Sequence, residues 1–251
     1  MPEGALRIAA MADIHCARNC QGVLEPLFAD IAQNADVLLL AGDVTDYGLP
    51  EEAHLLVKEM APLNRIHRLA VLGNHDYESG KHEEVIQVLR EAGIQVMDGD
   101  TFTLDGVGFV GVKGFGGGFG NRMLEPWGEP AIKGFVDEAV QETLKLEKGL
   151  VRLGTPHVVV FMHYAPVRDT IEGEPPETYP FLGSSRFEDS LSHYHVDFVL
   201  HGHAHHGKPE GRTRQGVPVY NVAMRVLSDN YGDRPPVRYF ELPRHNGATP
   251  A

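Results

Sequence analysis

The sequence is poor in cysteine and has no long apolar run. Its only cysteines are Cys16 and Cys20, too few for a disulfide framework, so we expect reduced thiols and a cytoplasmic location. We favour the interpretation that one of these cysteines is a thiol near a site and the other is an ordinary small residue. A zinc site formed by the pair beside His15 is the alternative. No segment approaches the roughly 18 consecutive apolar residues of a membrane span. The N-terminus also lacks the basic and apolar segments of a signal peptide.

Basic residues are the other scarce class. The chain has 22 Lys and Arg against 35 Asp and Glu, a formal net charge of −13. Proteins that bind nucleic acid generally present a basic surface, so this balance argues against a nucleic-acid partner. It does not exclude a small phosphorylated ligand, because bound metal cations can dominate the local field.

The overall composition is that of a globular protein. Of the 251 residues, 42% are hydrophobic and 23% are charged, and a chain of this length can bury a sizeable core. We expect one domain over residues 1–243 and a disordered tail over 244–251. Nothing in the sequence decides the oligomeric state.

Short apolar runs recur along the chain, and each ends in glycine or polar residues. Runs of this length and β-branched content are typical of buried strands. The five main runs are 6–12, 37–41, 68–72, 158–162 and 196–200. Helical patterns occupy 50–60, 81–91 and 132–150. Hairpin patterns occupy 101–112 and 212–222, followed by a late strand at 237–242. The alternation predicts an α/β fold of two packed, mixed sheets with helices outside.

Two loops stand out. Residues 114–122 are rich in glycine but lack the Gly-Lys-Ser/Thr ending of a phosphate-binding loop. We favour a flexible loop with two aromatic anchors there, and a mobile wall over a site is the alternative. Residues 165–185 are long for a compact domain, which is typical of functional or disordered segments.

Side chains that can bind metal follow five of the predicted strands directly. They are Asp13, His15, Asp43, Asn74, His163, His203 and His205. In open α/β sheets this edge is where sites assemble, so distant residues can converge there. If the chain is extended, Asp13 and His15 point to one face, and His203 and His205 repeat that spacing. The two oxygens of Asp43 suit it to bridge two ions.

His75 and Asp76 follow Asn74 directly. We expect His75 to face the ligand as a hydrogen-bond donor and Asp76 to fix its tautomer and orientation. Each motif also has a plain structural explanation: strand-end histidines are often exposed, aspartates form turns, and 201–206 could be an incidental histidine tract. Five such motifs at five strand ends are better explained by one metal site.

Together these motifs resemble the calcineurin-like metallophosphoesterase superfamily. They are Asp-x-His at 13–15, Gly-Asp-x-x-Asp at 42–46, Gly-Asn-His-Asp at 73–76, the lone His163, and Gly-His-x-His at 202–205. The resemblance spans about residues 6–206. It implies a four-layer α/β-β/α sandwich of two mixed sheets flanked by helices.

The resemblance also implies two metal ions, Mn, Fe or Zn. One would be held by Asp13, His15, Asp43 and His205, and the other by Asp43, Asn74, His163 and His203. A hydroxide bridging the ions would attack phosphorus, while His75 assists the leaving group with Asp76 behind it.

The implied activity is metal-dependent hydrolysis of a small phosphorylated substrate, with a phosphodiester favoured. Tyr47-Gly48 after Asp46, and Asp76 in place of Glu, depart from the protein-phosphatase branch and favour a branch like the bacterial phosphodiesterases. A metal-dependent nuclease and a catalytically silent binding scaffold of the same fold are the alternatives.

Overall fold

The computed structural model describes residues 4–245, apart from the side chain of Asn19. Its strands are β1 (Ala5–Met11), β2 (Val37–Ala41), β3 (His67–Val71), β4 (Gln95–Val96), β5 (Thr101–Leu104), β6 (Val107–Val112), β7 (His157–Met162), β8 (Phe198–His201), β9 (Glu210–Arg212), β10 (Pro218–Asn221) and β11 (Arg238–Pro243). Its α-helices are α1 (Glu25–Asn34), α2 (Pro50–Glu59), α3 (His82–Glu91), α4 (Pro130–Arg152), α5 (Tyr179–Leu182), α6 (Ser185–Leu191) and α7 (Met224–Tyr231).

The strands form two sheets. The first has the order β11-β1-β2-β3-β4, in which only β11 is antiparallel to its neighbour. The second has the order β5-β6-β7-β8-β10-β9, with β5 and β9 antiparallel at its two edges. Both sheets are therefore mixed, with a parallel centre, and the two predicted hairpins are confirmed as β5–β6 and β9–β10.

The period-2 alternation of side chains builds the layers. In β1, Ile8 and Ala10 join the core between the sheets, whereas Ala9 and Met11 face the other way. That outer face is covered by α1, α2 and α3, and α4 and α6 cover the outer face of the second sheet. The predicted four-layer arrangement of two mixed sheets flanked by helices is confirmed.

Cys16 and Cys20 are bonded to each other, so the expectation of two free thiols was wrong. A 3-10 turn at Arg18–Cys20 brings their Cα atoms to 5.5 Å, within the usual range for a disulfide. The alternative zinc site would need two thiolates and loses its ligands by the same bond.

The predicted tail lies mostly beyond the described residues, which end at His245. Arg244 is described, and its guanidinium pairs with Asp36 and Asp105. A search of the helices within 4–245 finds none long and apolar enough to cross a bilayer.

Candidate metal centre

The seven candidate ligands lie where strands of both sheets end side by side. The first sheet contributes the residues after β1, β2 and β3, and the second contributes those after β7 and β8. Because these strands are parallel within each sheet, their carboxyl ends share one edge. Contacts between residues as far apart as Asp13 and His203, whose amide nitrogen lies 3.0 Å from an Asp13 carboxylate oxygen, show the convergence directly.

The backbone at this edge is left-handed rather than extended. Four candidate ligands have positive φ, namely Asp13 (58°), His15 (47°), Asp43 (49°) and His203 (70°). The only other non-glycine residue with positive φ in the described chain is Asp105, in the β5–β6 turn. The extended geometry expected for Asp13 and His15 was therefore wrong. Their side chains converge because each strand turns sharply after its last ladder residue.

A first cluster contains Asp13, His15 and His205, whose potential ligand atoms all lie within 4.8 Å of one another. His205 Nε2 is 3.0 Å from Asp13 Oδ1. Both ring nitrogens of His15 are buried and have no hydrogen-bond partner. A buried imidazole without partners costs free energy, and a metal ion is a partner that would satisfy it.

A second cluster contains Asp43, His163 and His203 within the same 4.8 Å limit. His163 Nδ1 lies 3.0 Å from the carbonyl oxygen of Ala41, which can only accept, so this nitrogen carries the proton. Its Nε2 then faces two oxygens that can only accept, Asn74 Oδ1 at 3.0 Å and Asp43 Oδ2 at 3.3 Å, a position that a proton or a metal cation would fill. A backbone carbonyl that fixes the tautomer in this way is typical of metal-binding histidines.

Asp43 belongs to the second cluster and also lies beside His15 of the first. Its Oδ2 lies 3.3 Å from His163 Nε2 and 3.8 Å from His15 Nε2. Its Oδ1 accepts a hydrogen bond of 2.9 Å from the His75 amide. One carboxylate oxygen therefore faces both clusters, while the other holds the backbone of the neighbouring loop.

The charges at this site favour a cation. Burial opposes protonation of His163, but Asp43 outweighs it and raises the pKa of His163 to about 9. Burial raises the pKa of Asp43, yet His163 holds it below its ordinary value. For His203, burial and then His163 lower the pKa to about 4, so this ring is neutral. The imidazoles, carboxylates and one amide oxygen fit a divalent first-row metal, whose binding would displace the proton that Asp43 favours on His163.

His75 stands beside both clusters and is partly open to solvent. Its Nδ1 lies 2.7 Å from the carbonyl oxygen of Asp46, and its ring packs edge-on against His15 at 4.5 Å between centroids. The potential ligand atoms of His75, His15 and Asp43 also lie within 4.8 Å of one another, so one ion could contact all three. The contact that orients the ring is thus the Asp46 carbonyl and not the Asp76 carboxylate.

Asp76 is fully buried and ties two strand-end loops together. Its carboxylate accepts hydrogen bonds from the Gly73 amide at 2.8 Å, the Thr45 amide at 2.9 Å and the Thr45 hydroxyl at 2.5 Å. Burial, and then the charge of Asp43, raises the pKa of Asp76 to about 6. Asp76 therefore positions the loops that carry Asp43 and Asn74.

Two residues beside the site were not predicted. Lys113 directly follows β6 and is only 8% exposed. Its ammonium lies 4.7 Å from the Phe115 ring centroid and 3.2 Å from a Glu138 oxygen. Its carbonyl accepts hydrogen bonds from the amides of His163 and Tyr164. The Tyr164 ring packs 4.5 Å from that of His203. The sequence signal that could have identified Lys113 is its position directly after a sixth strand.

His201 and His206 flank the predicted Gly-His-x-His motif and belong to neither cluster. His201 is buried, with Nε2 2.7 Å from the Thr170 hydroxyl, and burial lowers its pKa to about 4. His206 is exposed. The predicted aromatic anchors of the glycine-rich loop are confirmed, since Phe115 packs against a ring of α4 and Phe119 joins a small apolar cluster. The 165–185 segment contains two 3-10 turns and α5.

Comparison with known proteins agrees with this geometry. The family model described as calcineurin-like phosphoesterase matches residues 6–207. No curated protein sequence matches the chain. Among solved structures, phosphopantetheinyl hydrolase (PptH) from Mycobacterium tuberculosis has a TM-score of 0.66 at 16% identity, covering 98% of this chain and 99% of that one.

Two further structures share the fold. TT1561 of Thermus thermophilus has a TM-score of 0.54 at 15% identity, with 89% of this chain and 92% of that one covered. Purple acid phosphatase PPD1 from yellow lupin has a TM-score of 0.56 at 12% identity, with 89% and 44% covered. The family match spans most of the chain, and the ligand motifs lie within it. The chain therefore belongs to the calcineurin-like phosphoesterase family, a family of metal-dependent phosphoester hydrolases.

Proposed function

We propose that this chain is a dinuclear metal-dependent phosphoesterase that hydrolyses a small phosphorylated substrate, with phosphodiesters the preferred class. The observation that carries the proposal is the pair of ligand clusters joined by a single oxygen of Asp43. One ion would be held by Asp13, His15, Asp43 and His205. The other would be held by Asp43, Asn74, His163 and His203.

When bound, such ions lower the pKa of water and neutralise phosphoryl oxygens. The residues of the chain supply orientation and proton transfer. The Asp46 carbonyl can only accept, so His75 Nδ1 carries a proton. His75 can therefore donate from Nε2 to a phosphoryl or leaving-group oxygen only as the doubly protonated ring. Asp76 supports this indirectly, through the Gly73 and Thr45 loops.

Activity on model substrates tests the hydrolase against the silent scaffold. Purified protein with Mn²⁺ should hydrolyse bis-p-nitrophenyl phosphate faster than p-nitrophenyl phosphate, and chelation should abolish both reactions. Folded, metal-loaded protein that turns over neither ester would contradict the proposal. A panel with a phosphopantetheinyl compound, the class in the name of one structural neighbour, would narrow the substrate.

Single-stranded DNA distinguishes the nuclease alternative. The proposal expects no cleavage, because the chain carries a net charge of −13. Cleavage that stops with chelator and survives rising salt would favour the nuclease instead.

Metal stoichiometry tests the dinuclear assignment. Asp13→Asn should remove one ion per chain, because Asp13 is assigned to one ion, whereas Asp43→Asn should remove both, because Asp43 faces His15 as well as His163. Asp137→Asn, an exposed change of the same type on α4, is the matched control and should keep two. Elemental analysis after dialysis gives the counts. Equal losses in Asp13→Asn and Asp43→Asn would contradict two separate sites.

A cytoplasmic location stays a prediction from the sequence. The Cys16–Cys20 disulfide does not favour it, because disulfides persist mainly in oxidising compartments. Titration of free thiols in protein isolated under alkylating conditions would decide between a reducing and an oxidising compartment. Reduced Cys16 and Cys20 are expected if the protein is cytoplasmic.

A further inference from the structure

A cavity of about 520 Å³ is lined by none of the candidate metal ligands. Its walls come from the β9–β10 hairpin, the segment around the 3-10 turn Asp169–Ile171, and α6. Three arginines line it, Arg168, Arg212 and Arg214, together with the carboxylates of Asp169 and Glu188. Volumes of this order are typical of small-ligand sites.

The three arginines are not equivalent. Arg214 is neutralised, with Nε 3.1 Å from a Glu188 oxygen and a second contact to Asp189. Within residues 4–245, neither Arg168 nor Arg212 has a carboxylate within ion-pair distance. Arg212 donates one hydrogen bond of 2.9 Å to the Gly216 carbonyl, and its other guanidinium nitrogen atoms remain available.

Arg168 is also uncommitted. Its guanidinium lies over the Tyr179 ring, 5.5 Å from the centroid. The carboxylate of Glu172 forms an ion pair with Lys208 and not with Arg168. Two arginines without a carboxylate partner among the described residues thus line one cavity in a protein with a net charge of −13. Their planar arrays of donors match the oxygens of a phosphate better than a lysine does.

The cavity adjoins the metal centre without being part of it. Phe119, on its wall, packs into the small apolar cluster formed by Ala165, Ile171, Leu182 and Ala204. Ala204 stands between His203 and His205. The carbonyl of Phe181, in the same 165–185 segment, lies 3.1 Å from His203 Nε2. One packed cluster therefore separates the cavity from the ligand turn.

We propose that this cavity binds a phosphate-class anion through Arg168 and Arg212. The group could be the second phosphoryl group of an extended substrate or free phosphate. Both present the same tetrahedral oxyanion to the two guanidinium groups.

Binding of inorganic phosphate to chelator-treated protein tests the proposal, because the metal centre then takes no part. Calorimetry should show saturable binding, and an Arg168→Gln/Arg212→Gln double variant should bind at least about tenfold more weakly, as lost charge-assisted hydrogen bonds imply. The matched control is Arg65→Gln/Arg152→Gln, two exposed arginines outside the cavity, which should bind within about twofold of the parent. No binding by the parent, or equal binding by both double variants, would overturn the proposal.

Kinetics with Mn²⁺ then identify the source of the anion. If a substrate supplies it, the Arg168→Gln/Arg212→Gln variant should raise KM for a nucleoside bisphosphate but not for the matching monophosphate. If free phosphate supplies it, added phosphate should alter kcat of the parent but not of that variant. The binding result stands or falls separately from the proposed reaction, so failure of either can be recognised.

Discussion

At the scale of single residues, the backbone conformation of the candidate ligands carries a cost in free energy. Asp13, His15, Asp43 and His203 all have left-handed backbone, a conformation that costs about 1–3 kcal/mol at a non-glycine residue. Such residues persist where the surrounding structure holds them, and they cluster at functional sites. Here the contacts that hold them are backbone hydrogen bonds from Asp13 to Gly42 and from His15 to Asp43, and the bond from the His203 amide to the Asp13 carboxylate.

His75→Ala tests proton donation. Because the ring is oriented by the Asp46 carbonyl and is partly open to solvent, we expect turnover to fall by about 10²–10⁴-fold, the usual contribution of general acid–base catalysis. Metal content should stay at the parental value. Loss of an ion in this variant would mean that His75 is itself a ligand, as its distance to His15 and Asp43 permits.

Gly73→Ala tests the close approach of the Gly73 backbone to the Asp43 carboxylate. A methyl group at Gly73 would overlap the Asp43 carboxylate and lie 2.5 Å from the Asp43 amide nitrogen. We expect loss of metal and a destabilisation of about 1–3 kcal/mol, typical of overpacking. Gly154→Ala is the control, because a Cβ there meets no atom within 4 Å. Equal metal content in the two variants, measured after dialysis, would contradict the expected displacement of Asp43.

At the scale of elements, the first turn of α1 depends on a residue of α2. The Glu59 carboxylate accepts hydrogen bonds from the amides of Gly22 at 2.7 Å, Leu24 at 3.0 Å and Glu25 at 3.2 Å. Amides at a helix start have no partner within the helix, so an acceptor from elsewhere satisfies them. Burial raises the pKa of Glu59, but these donors outweigh it and the pKa lies below its ordinary value.

Glu59→Gln should therefore destabilise the fold by about 1–3 kcal/mol at neutral pH, the range for hydrogen bonds to a charged group. A carboxylate whose pKa is lower in the folded state contributes its full stabilisation above the unfolded-state pKa of about 4.3. That contribution is lost as the pH falls through the folded-state pKa. The difference in unfolding free energy between Glu59→Gln and the parent should therefore shrink as the pH falls. Glu51→Gln, exposed on the same helix, is the control for charge. A difference in unfolding free energy that does not change with pH would contradict this account.

At the scale of the whole molecule, the candidate ligands join the two sheets. Asp13, His15, Asp43 and Asn74 follow strands of the first sheet, and His163, His203 and His205 follow strands of the second. Bound ions would therefore link the two halves of the sandwich, and anything that binds only the folded state stabilises it.

Saturation with Mn²⁺ should raise Tm. At about 100 times Kd the stabilisation is about 2.7 kcal/mol per site, and a domain of this size shifts by about 2–4 °C per kcal/mol. We expect about 5–10 °C for one site and more for two. Scanning calorimetry with and without chelator measures the shift, which Gly73→Ala should lose and Gly154→Ala should keep. An unchanged Tm in protein shown to bind Mn²⁺ would contradict the link between sheets.

Much of the fold could be predicted because its signals are local. Runs such as 37–41 and 158–162 are buried on both faces, so their composition alone marks them as strands. The helix α1 was missed because it buries only Phe28 and Ile31, too weak a pattern to recognise. The cysteine pairing was missed because it depends on the turn Arg18–Cys20 and not on spacing.

The sequence by itself determined which side chains are candidates for the metal centre, because each sits at the end of a strand that its own residues specify. The tertiary structure decided everything that depends on contacts across the two sheets. Asp13 and His15 adopt left-handed backbone conformations, and one oxygen of Asp43 lies near both clusters. The Asp46 carbonyl orients the His75 ring. Such contacts join residues up to 192 positions apart, and only packing of the sheets brings them within reach.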